Sequence, residues 1–229
     1  FDHMGAFADT QSSLRNTLLG PEALQQAIGD AGIAGEHTVV LYSSQYLMWA
    51  TRAWWMLHYA GHTNVRVLNG GLSAWQAAGY PLESGQNSYQ ATTFNAPVRG
   101  NRYASKDAVL AAIDGPACTI DALPADVYAG ASANHYGRPG HISGATNLPY
   151  HHLQNKEAFL PPDALRAALT ERGMLGAEQV YTYCGGGIAA TVDAMACLLC
   201  GQDSVAVYDG SMSEWTQDAN APVTVGDAP

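Results

Sequence analysis

Residues 180–191 read Val-Tyr-Thr-Tyr-Cys-Gly-Gly-Gly-Ile-Ala-Ala-Thr. A short run of β-prone residues ends at Cys184, and three glycines then lead into small and apolar side chains that continue to Cys200. This order predicts a strand over 180–183, a tight turn, and a helix from about Ile188 to Cys200. Short continuous apolar runs are typical of strands in a parallel sheet that helices cover on both faces.

A second copy of this pattern lies about 140 residues earlier in the chain. Residues 39–42 predict a strand, and a helical run over about 47–59 follows it. Gly61 and Gly201 stand at the two helix ends, where a left-handed residue is favoured. After each glycine the same spacing leads to an Asn-Gly or Asp-Gly pair and then to a tryptophan. The repeat predicts an α/β protein of two tandem units, each a mainly parallel sheet flanked by helices.

The repeat also divides the chain. We expect residues 1–84 to form the first unit and residues 101–229 to form the second. Between them, residues 85–100 are polar and lack periodicity, which is typical of an interdomain linker. Only the second unit carries a cysteine after its strand, because Ser43 takes that place in the first unit. The second unit is therefore the expected site of chemistry, and the first is expected to be inactive.

The first unit is predicted to be smaller than the second. Residues 106–113 and 117–121 of the second unit read as a helix and a strand, and the first unit has no clear counterpart of them. In both units a helix begins with proline, at Pro21 and at Pro162, as suits a first helical position. We expect the first unit to lack its opening strands. Since the chain does not begin with Met, we also expect it to be the remainder of a longer one.

Composition and charge narrow the classes of function. The chain carries 20 acidic and 10 basic side chains, and its formal net charge is −10. Proteins that bind nucleic acids or anionic membranes need an exposed basic surface, so neither kind of partner is expected. The sequence has no run of 18 apolar residues, no signal-peptide pattern and too few cysteines for a disulfide scaffold. We expect a protein of the cytoplasm, and the sequence sets no oligomeric state.

The turn after Cys184 has the features of a site for a sulfur anion. A strand that ends in a glycine-rich turn before a helix leaves backbone N–H groups pointing into the turn, at the positive end of the helix dipole. Such a nest is expected to lower the pKa of the Cys184 thiol and to keep it nucleophilic. The carboxyl end of a parallel strand is also where ligands bind in such folds. The alternative, left open by the local pattern, is a buried cysteine beside a flexible turn.

Three motifs carry a resemblance to a known family. Residues 140–149 read Gly-His-Ile-Ser-Gly-Ala-Thr-Asn-Leu-Pro, residues 184–189 read Cys-Gly-Gly-Gly-Ile-Ala, and residues 208–215 read Tyr-Asp-Gly-Ser-Met-Ser-Glu-Trp. They resemble the opening signature, the six-residue active loop and the closing signature of rhodanese domains. Residues 68–75 are similar to the closing signature of an inactive domain. Nearly the whole chain thus resembles the two-domain sulfurtransferases that act on thiosulfate or 3-mercaptopyruvate.

The resemblance implies a double-displacement reaction. Cys184 would take the outer sulfur of a small anionic donor as a persulfide and pass it to cyanide or a thiol acceptor. The loop residues Gly185, Gly186, Gly187, Ile188 and Ala189 would bind the anionic sulfur through their amides. The resemblance implies no metal and no organic cofactor.

The loop departs from the family in ways that leave the donor open. Residues 185–190 carry none of the basic side chains of thiosulfate-type loops, and Gly186 and Ala189 replace the hydroxyl residues of mercaptopyruvate-type loops. Leu123 and Ala129 stand where the family has two arginines. Arg138 is the best remaining cation to pair with a donor's carboxylate or sulfonate, and a structural ion pair is the alternative. A non-catalytic module that binds a partner or delivers sulfur is the alternative function.

Other chemistries are less well supported. Ala190 replaces the arginine by which cysteine phosphatases of this fold class clamp phosphate, which disfavours a small-anion hydrolase. Cys197 and Cys200 have the spacing of half a zinc site, but without a second pair they read as core residues. Histidine could act as acid or base near Cys184, whereas His141 is expected to hold its loop through hydrogen bonds. Three tryptophans on the first unit's long helix are read as core or interface packing, and Arg52 as a structural ion-pair partner.

Overall fold

A computed structural model of the chain describes Asp2 and residues 4–229. The first unit has a parallel pair of strands, β1 and β2, with helices packed around it. Its elements are α1 (Pro21–Asp30), β1 (Val39–Leu41), α2 (Leu47–Tyr59), β2 (Val65–Val67) and α3 (Gly71–Ala77).

The second unit is built on a parallel sheet of five strands, in the order β3-β10-β9-β4-β6. Two small antiparallel pairs, β5 with β11 and β7 with β8, lie outside it. The elements are β3 (Tyr103–Ala104), α4 (Lys106–Ala112), β4 (Cys118–Asp121), α5 (Ala125–Tyr128), β5 (His141–Ile142), β6 (Thr146–Asn147), β7 (Gln154–Asn155), β8 (Ala158–Phe159), α6 (Pro162–Glu171), β9 (Val180–Tyr183), α7 (Ala190–Leu199), β10 (Val205–Tyr208), α8 (Ser211–Trp215) and β11 (Val223–Thr224).

The α/β class and the mainly parallel sheet flanked by helices are confirmed. Strand β10, an interior strand of this sheet, is buried along its whole length, as a strand covered on both faces must be. Gly61 and Gly201 follow α2 and α7 with φ of 99° and 86°, the left-handed geometry expected at these helix ends. Helix α7 begins at Ala190 rather than near Ile188, because the turn after Cys184 uses residues 184–189.

The two units meet through corresponding positions of the repeat. Thr51 of α2 and Thr191 of α7 both lie ten residues before a terminal glycine, and their hydroxyls are 2.8 Å apart in a buried contact. Leu18 N donates to Asp209 Oδ2 at 2.8 Å, and Phe159 N donates in the same way to Asn69 Oδ1 at 2.8 Å. This reciprocal pattern is that of a pseudo-two-fold interface. Each unit therefore reaches across to the strand-turn-helix site of the other.

The first unit presents an open sheet. Among the described residues, no strand of the first unit corresponds to β3, β4 or β6, and the side chains of Val40, Tyr42 and Leu82 are more than half exposed. This agrees with the predicted lack of opening strands. None of the helices in the described part of the chain is both long and apolar enough to span a lipid bilayer.

The predicted linker is packed against the first unit. Residues 85–99 contain no helix or strand, but Phe94 is buried in the main core. Thr92 N donates to Gly29 O at 2.8 Å, so this segment covers the end of α1. The segment therefore contributes to the hydrophobic core, while the division at 85–100 remains a prediction.

Candidate active site

A cleft of about 1080 Å³ lies beside Cys184, where the two units meet. The second unit supplies the loop after β9, the loop around Tyr136 and part of α8. The first unit supplies residues 13–16 and the start of α2 at Met48 and Trp49. Cys184 is 3% exposed and stands at the carboxyl end of β9, the edge at which parallel sheets bind ligands.

Two serines of the closing signature hold the Cys184 loop. Ser211 Oγ accepts hydrogen bonds from Cys184 N and Gly187 N, both at 3.1 Å, and donates to Tyr208 O at 2.8 Å. Ser211 has a φ of 51°, which is uncommon for a residue other than glycine. Ser213 Oγ donates to Gly185 O at 2.6 Å. The strained backbone at Ser211 thus places a hydroxyl on two loop amides and fixes the turn.

Two of the three glycines are required by close contacts. Gly187 has a φ of 75°, and a Cβ there would lie 2.6 Å from Asp209 O. A Cβ at Gly185 would collide with the ring of Tyr136, which lies directly on the loop. Gly186 differs, because a Cβ there would meet its nearest neighbours, Arg15 O and Ser213 Oγ, at an ordinary 3.9 Å. The absence of side chains at Gly185 and Gly187 therefore leaves room for the ring of Tyr136 and for the buried Asp209.

A buried ion pair joins the loop to the first unit. Arg52 of α2 is 1% exposed, and its Nη1 donates to Asp209 Oδ1 at 2.5 Å and to Gly187 O at 3.1 Å. Its Nη2 donates to Asn16 O at 2.6 Å, and its guanidinium lies 4.7 Å from the ring centroid of Trp55. The interpretation of Arg52 as a structural ion-pair partner is confirmed. Its contacts also fix the active loop and the segment at Asn16.

The thiol of Cys184 differs from expectation in its acidity. Burial raises its pKa above the ordinary cysteine value, and this outweighs the amides of Ala190, Gly186 and Ala189, which favour the thiolate. The carboxyl of Asp121 raises the pKa further. The predicted amide nest is present, but the predicted lowering of the pKa is wrong in direction. The sequence around Cys184 does not reveal this effect of Asp121, because Asp121 lies on β4. It comes close to Cys184 by pairing in register with Tyr183 of β9.

Asp121 is itself a perturbed acid. It is fully buried, its Oδ1 accepts from Leu123 N at 2.8 Å, and burial raises its pKa to about 7. Near neutral pH this carboxyl changes between its neutral and charged forms. The charged form opposes the Cys184 thiolate, and none of the described groups that shift the pKa of this thiol is a cation.

The structure places the predicted site residues in three groups. Gly185, Gly186, Ile188 and Ala189 line the cleft together with Cys184, whereas Gly187 lies behind the loop against Asp209. Arg138 lies in neither of these places, and it does not line the cleft. Its Nη2 donates to the backbone oxygens of Asp218 and Ala221 at 3.0 and 2.6 Å. Its role as a donor anchor remains a prediction.

Besides Asp121, sequence reasoning missed four residues at this site. Ser211 and Ser213 lie inside the recognised closing signature, which could have flagged them. Tyr136 and Arg15 belong to irregular segments without periodicity, and Arg15 comes from the unit expected to be inactive. No local signal identifies these two, because the folding of the second unit brings Tyr136 to the Cys184 loop and the interface between the units brings Arg15 there.

The other residues singled out from the sequence lie in the core or in loops, except for Trp49 at the cleft. His141 is buried, its Nδ1 lies 2.9 Å from Tyr128 O, and its ring stacks on that of Tyr128, which confirms the expected loop-holding role. Cys197 and Cys200 are buried free thiols, and no group able to hold a metal occurs among the described residues. Of the three tryptophans, Trp54 and Trp55 are in the core, and Trp49 lines the cleft.

The raised pKa of Cys184 predicts the pH dependence of its reaction. The thiolate is the nucleophile, so if Cys184 takes sulfur from thiosulfate as the sequence resemblance implies, this loading should accelerate about tenfold per pH unit from about pH 6 to about pH 8.5. The ionisation of Asp121 near pH 7 should flatten the rise slightly. Single-turnover loading, followed by intact mass at each pH, measures this profile. A rate that is flat from pH 6.5 upward would contradict the raised pKa.

Comparison with known proteins is consistent with this site. The family model described as "Rhodanese-like domain" matches residues 8–78 and 105–218. The chain is 33% identical to the 3-mercaptopyruvate sulfurtransferase of Escherichia coli K12, over 97% of this chain and 80% of that protein. It is 30% identical to the thiosulfate sulfurtransferase of Rattus norvegicus, over 92% of this chain and 73% of that one.

A solved structure supports the same fold. The anaerobic ergothioneine biosynthesis enzyme from Chlorobium limicola, in complex with trimethyl histidine, superposes with a TM-score of 0.86 at 24% identity. The match covers 96% of this chain, and this chain spans 58% of that enzyme. At this identity the likeness concerns the fold alone.

Proposed function

Because the chain belongs to the rhodanese-like sulfurtransferase family, we propose that it transfers a sulfane sulfur through a persulfide on Cys184. The donor is a small anion, thiosulfate or 3-mercaptopyruvate, and the acceptor is a thiol or cyanide. The observation that carries this proposal is the position of Cys184. Its sulfur faces the amides of Gly186, Ala189 and Ala190 at the floor of a cleft that both units line.

The proposed loading step forms one bond and breaks another. The Cys184 thiolate attacks the outer sulfur of thiosulfate, a new S–S bond forms, and the old S–S bond breaks with its electron pair leaving on sulfite. With 3-mercaptopyruvate the C–S bond breaks, and the carbon takes a proton to give pyruvate. The loop amides stabilise the sulfur anion, because those of Gly186, Ala189 and Ala190 already surround the Cys184 sulfur to which the new sulfur is attached.

The unloading step regenerates the thiolate. An acceptor thiolate or cyanide attacks the terminal sulfur of the persulfide, and the electron pair of the S–S bond returns to Cys184. The products are an organic persulfide or thiocyanate. A cleft of about 1080 Å³ is much larger than cyanide requires and is of the size that holds organic ligands. We therefore favour an organic thiol over cyanide as the acceptor.

Intact-mass measurement tests the proposal. The wild type is incubated separately with thiosulfate and with 3-mercaptopyruvate, desalted, and weighed. We expect the mass of one added sulfur on the wild type, none on Cys184→Ala, and loss of that sulfur on addition of cyanide or a thiol. Steady-state rates with each donor and acceptor then rank the substrates.

The matched control for this experiment is Cys118→Ala. Cys118 is a half-buried thiol in the same sheet, and its Sγ donates to Arg172 O at 3.4 Å, outside the cleft. This variant should gain the sulfur as the wild type does. If neither donor adds sulfur to the wild type, the enzyme proposal fails, and the non-catalytic binding module becomes the better account.

A further inference from the structure

The cleft beside Cys184 has an unusual charge balance for this protein. The whole chain has twice as many acidic as basic side chains, yet no Asp or Glu is among the described residues that line the cleft. The lining contains a single arginine, Arg15, and one histidine, His135. An exposed guanidinium in a cleft without carboxylates raises the local concentration of anions.

The position of Arg15 is set by the buried network of Arg52. Arg52 Nη2 donates to Asn16 O at 2.6 Å, and Leu18 N donates to Asp209 Oδ2 at 2.8 Å. These two hydrogen bonds fix residues 16–18, and Arg15 directly precedes this anchored segment. Arg15 O lies 3.9 Å from the position of a Cβ on Gly186. Arg15 is thus adjacent to the part of the loop that is open to the cleft.

The two other arginines considered for the site have partners elsewhere. Arg52 is buried against Asp209, and Arg138 binds two backbone oxygens near β11. By contrast, no ion pair to Arg15 occurs among the described residues. The loop itself carries no basic side chain at residues 185–190. Among the described residues that line the cleft, the one side chain with a permanent positive charge therefore comes from the first unit.

We propose that Arg15, supplied by the first unit, binds the anionic group of the sulfur donor and so determines donor specificity. This inference rests on the proposed function, because it names the residue that holds the donor of that reaction. Arg15 pairs with the sulfonate of thiosulfate or the carboxylate of 3-mercaptopyruvate, while the sulfur end of the donor faces Cys184. The planar guanidinium is suited to two parallel hydrogen bonds with either group. The first unit is thus a contributor to donor binding rather than an inert copy.

Kinetics of Arg15 variants test this assignment. Arg15→Gln should lower kcat/KM for the better donor by about ten- to hundredfold, mainly by raising KM. Arg15→Lys keeps the charge but not the planar fork, and should recover part of the loss. Arg66→Gln is the matched control, since Arg66 is an exposed arginine on β2 outside the cleft lining, and its rates should equal those of the wild type. Arg138→Gln tests the competing anchor and should change KM less than Arg15→Gln.

A pair of thiol reagents separates this inference from the proposed function. The Cys184 thiolate attacks methanethiosulfonate reagents at their sulfenyl sulfur, a mixed disulfide forms, and methanesulfinate leaves. Arg15→Gln should slow labelling by the anionic sulfonatoethyl reagent about tenfold and leave labelling by the neutral methyl reagent unchanged. Peptide mapping at Cys184 gives both rates, and it does so even if neither sulfur donor loads the protein. Equal ratios of the two rates in the wild type and Arg15→Gln, or unchanged KM values, would overturn the assignment.

Discussion

Arg52→Met is expected to lower the free energy of unfolding by about 3–5 kcal/mol, because it leaves the Asp209 carboxylate buried without its partner. Arg52 is 1% exposed and Asp209 is 6% exposed, so water does not replace the lost contact. The same substitution releases Gly187 O in the Cys184 loop and Asn16 O in the first unit, both of which the guanidinium holds. Sulfur loading should therefore become slower even at temperatures at which the variant is folded. Urea unfolding and single-turnover loading measure the two effects.

The control for this effect is an exposed ion pair. Lys106 Nζ lies 2.8 Å from Asp218 Oδ2 at the surface, and Lys106→Met should cost only a small fraction of the Arg52→Met loss. The double variant with Asp209→Asn should be less destabilised than the sum of the two single variants, since it no longer contains an unpaired carboxylate. Additive losses in this cycle, or equal losses for Arg52→Met and Lys106→Met, would contradict the proposed coupling.

Asp193→Asn is expected to change how the stability of the protein depends on pH. Asp193 lies on α7, is fully buried, and neither carboxylate oxygen has a hydrogen-bond partner among the described residues. Burial, with a smaller contribution from Asp121, raises its pKa well above the ordinary aspartate value. The folded protein therefore keeps a proton on Asp193 that the unfolded chain releases above about pH 4.

This proton sets the sign of the effect. The stability that the raised pKa confers is fully present below the unfolded pKa of about 4, and it is lost as the pH rises through the folded pKa. Between these limits Asp193 lowers the free energy of unfolding by about 1.4 kcal/mol per pH unit. Asp121 adds a similar slope up to its own folded pKa of about 7. These two carboxyls therefore make the protein less stable at pH 8 than at pH 5, whereas the lowered pKa values of His58 and three other histidines act in the opposite direction up to about pH 6.5.

The measurement compares urea unfolding of the wild type and Asp193→Asn from pH 5 to pH 8. The stability of the variant relative to the wild type should rise with pH, by about 1.4 kcal/mol per pH unit for as long as Asp193 stays protonated in the folded protein, whatever constant offset the amide introduces. Asp163→Asn, at an exposed aspartate on α6, is the matched control and should show no such trend. A difference between Asp193→Asn and the wild type that does not vary with pH would show that Asp193 is charged when folded.

The sequence predicted the parts of the fold that depend on local pattern. Short apolar runs identified β1 and β9, and terminal glycines identified the ends of α2 and α7. The repeat predicted two similar units. It did not predict that the presumed linker would bury Phe94, because one aromatic residue in a polar stretch has no periodicity to reveal it.

The site was predicted only in part. Cys184 and most of its loop are contiguous in sequence, so the motif identified them together. The acidity of Cys184 was predicted in the wrong direction, because burial and Asp121 act through tertiary contacts that the loop sequence does not contain. Arg138 was predicted to bind the donor because it stands next to a motif in the sequence. In the structure its guanidinium donates hydrogen bonds to backbone oxygens of another loop.

The sequence by itself determined the repeated strand-turn-helix units, the position of Cys184 after a buried strand, and the family to which these motifs point. These features depend on backbone propensity and on side chains that are neighbours along the chain. The tertiary structure decided which charges surround the thiol, because Arg15, Arg52 and Asp121 come from segments far from Cys184 in sequence. Electrostatic interactions depend on distance and burial, and only the packing of one unit on the other sets both.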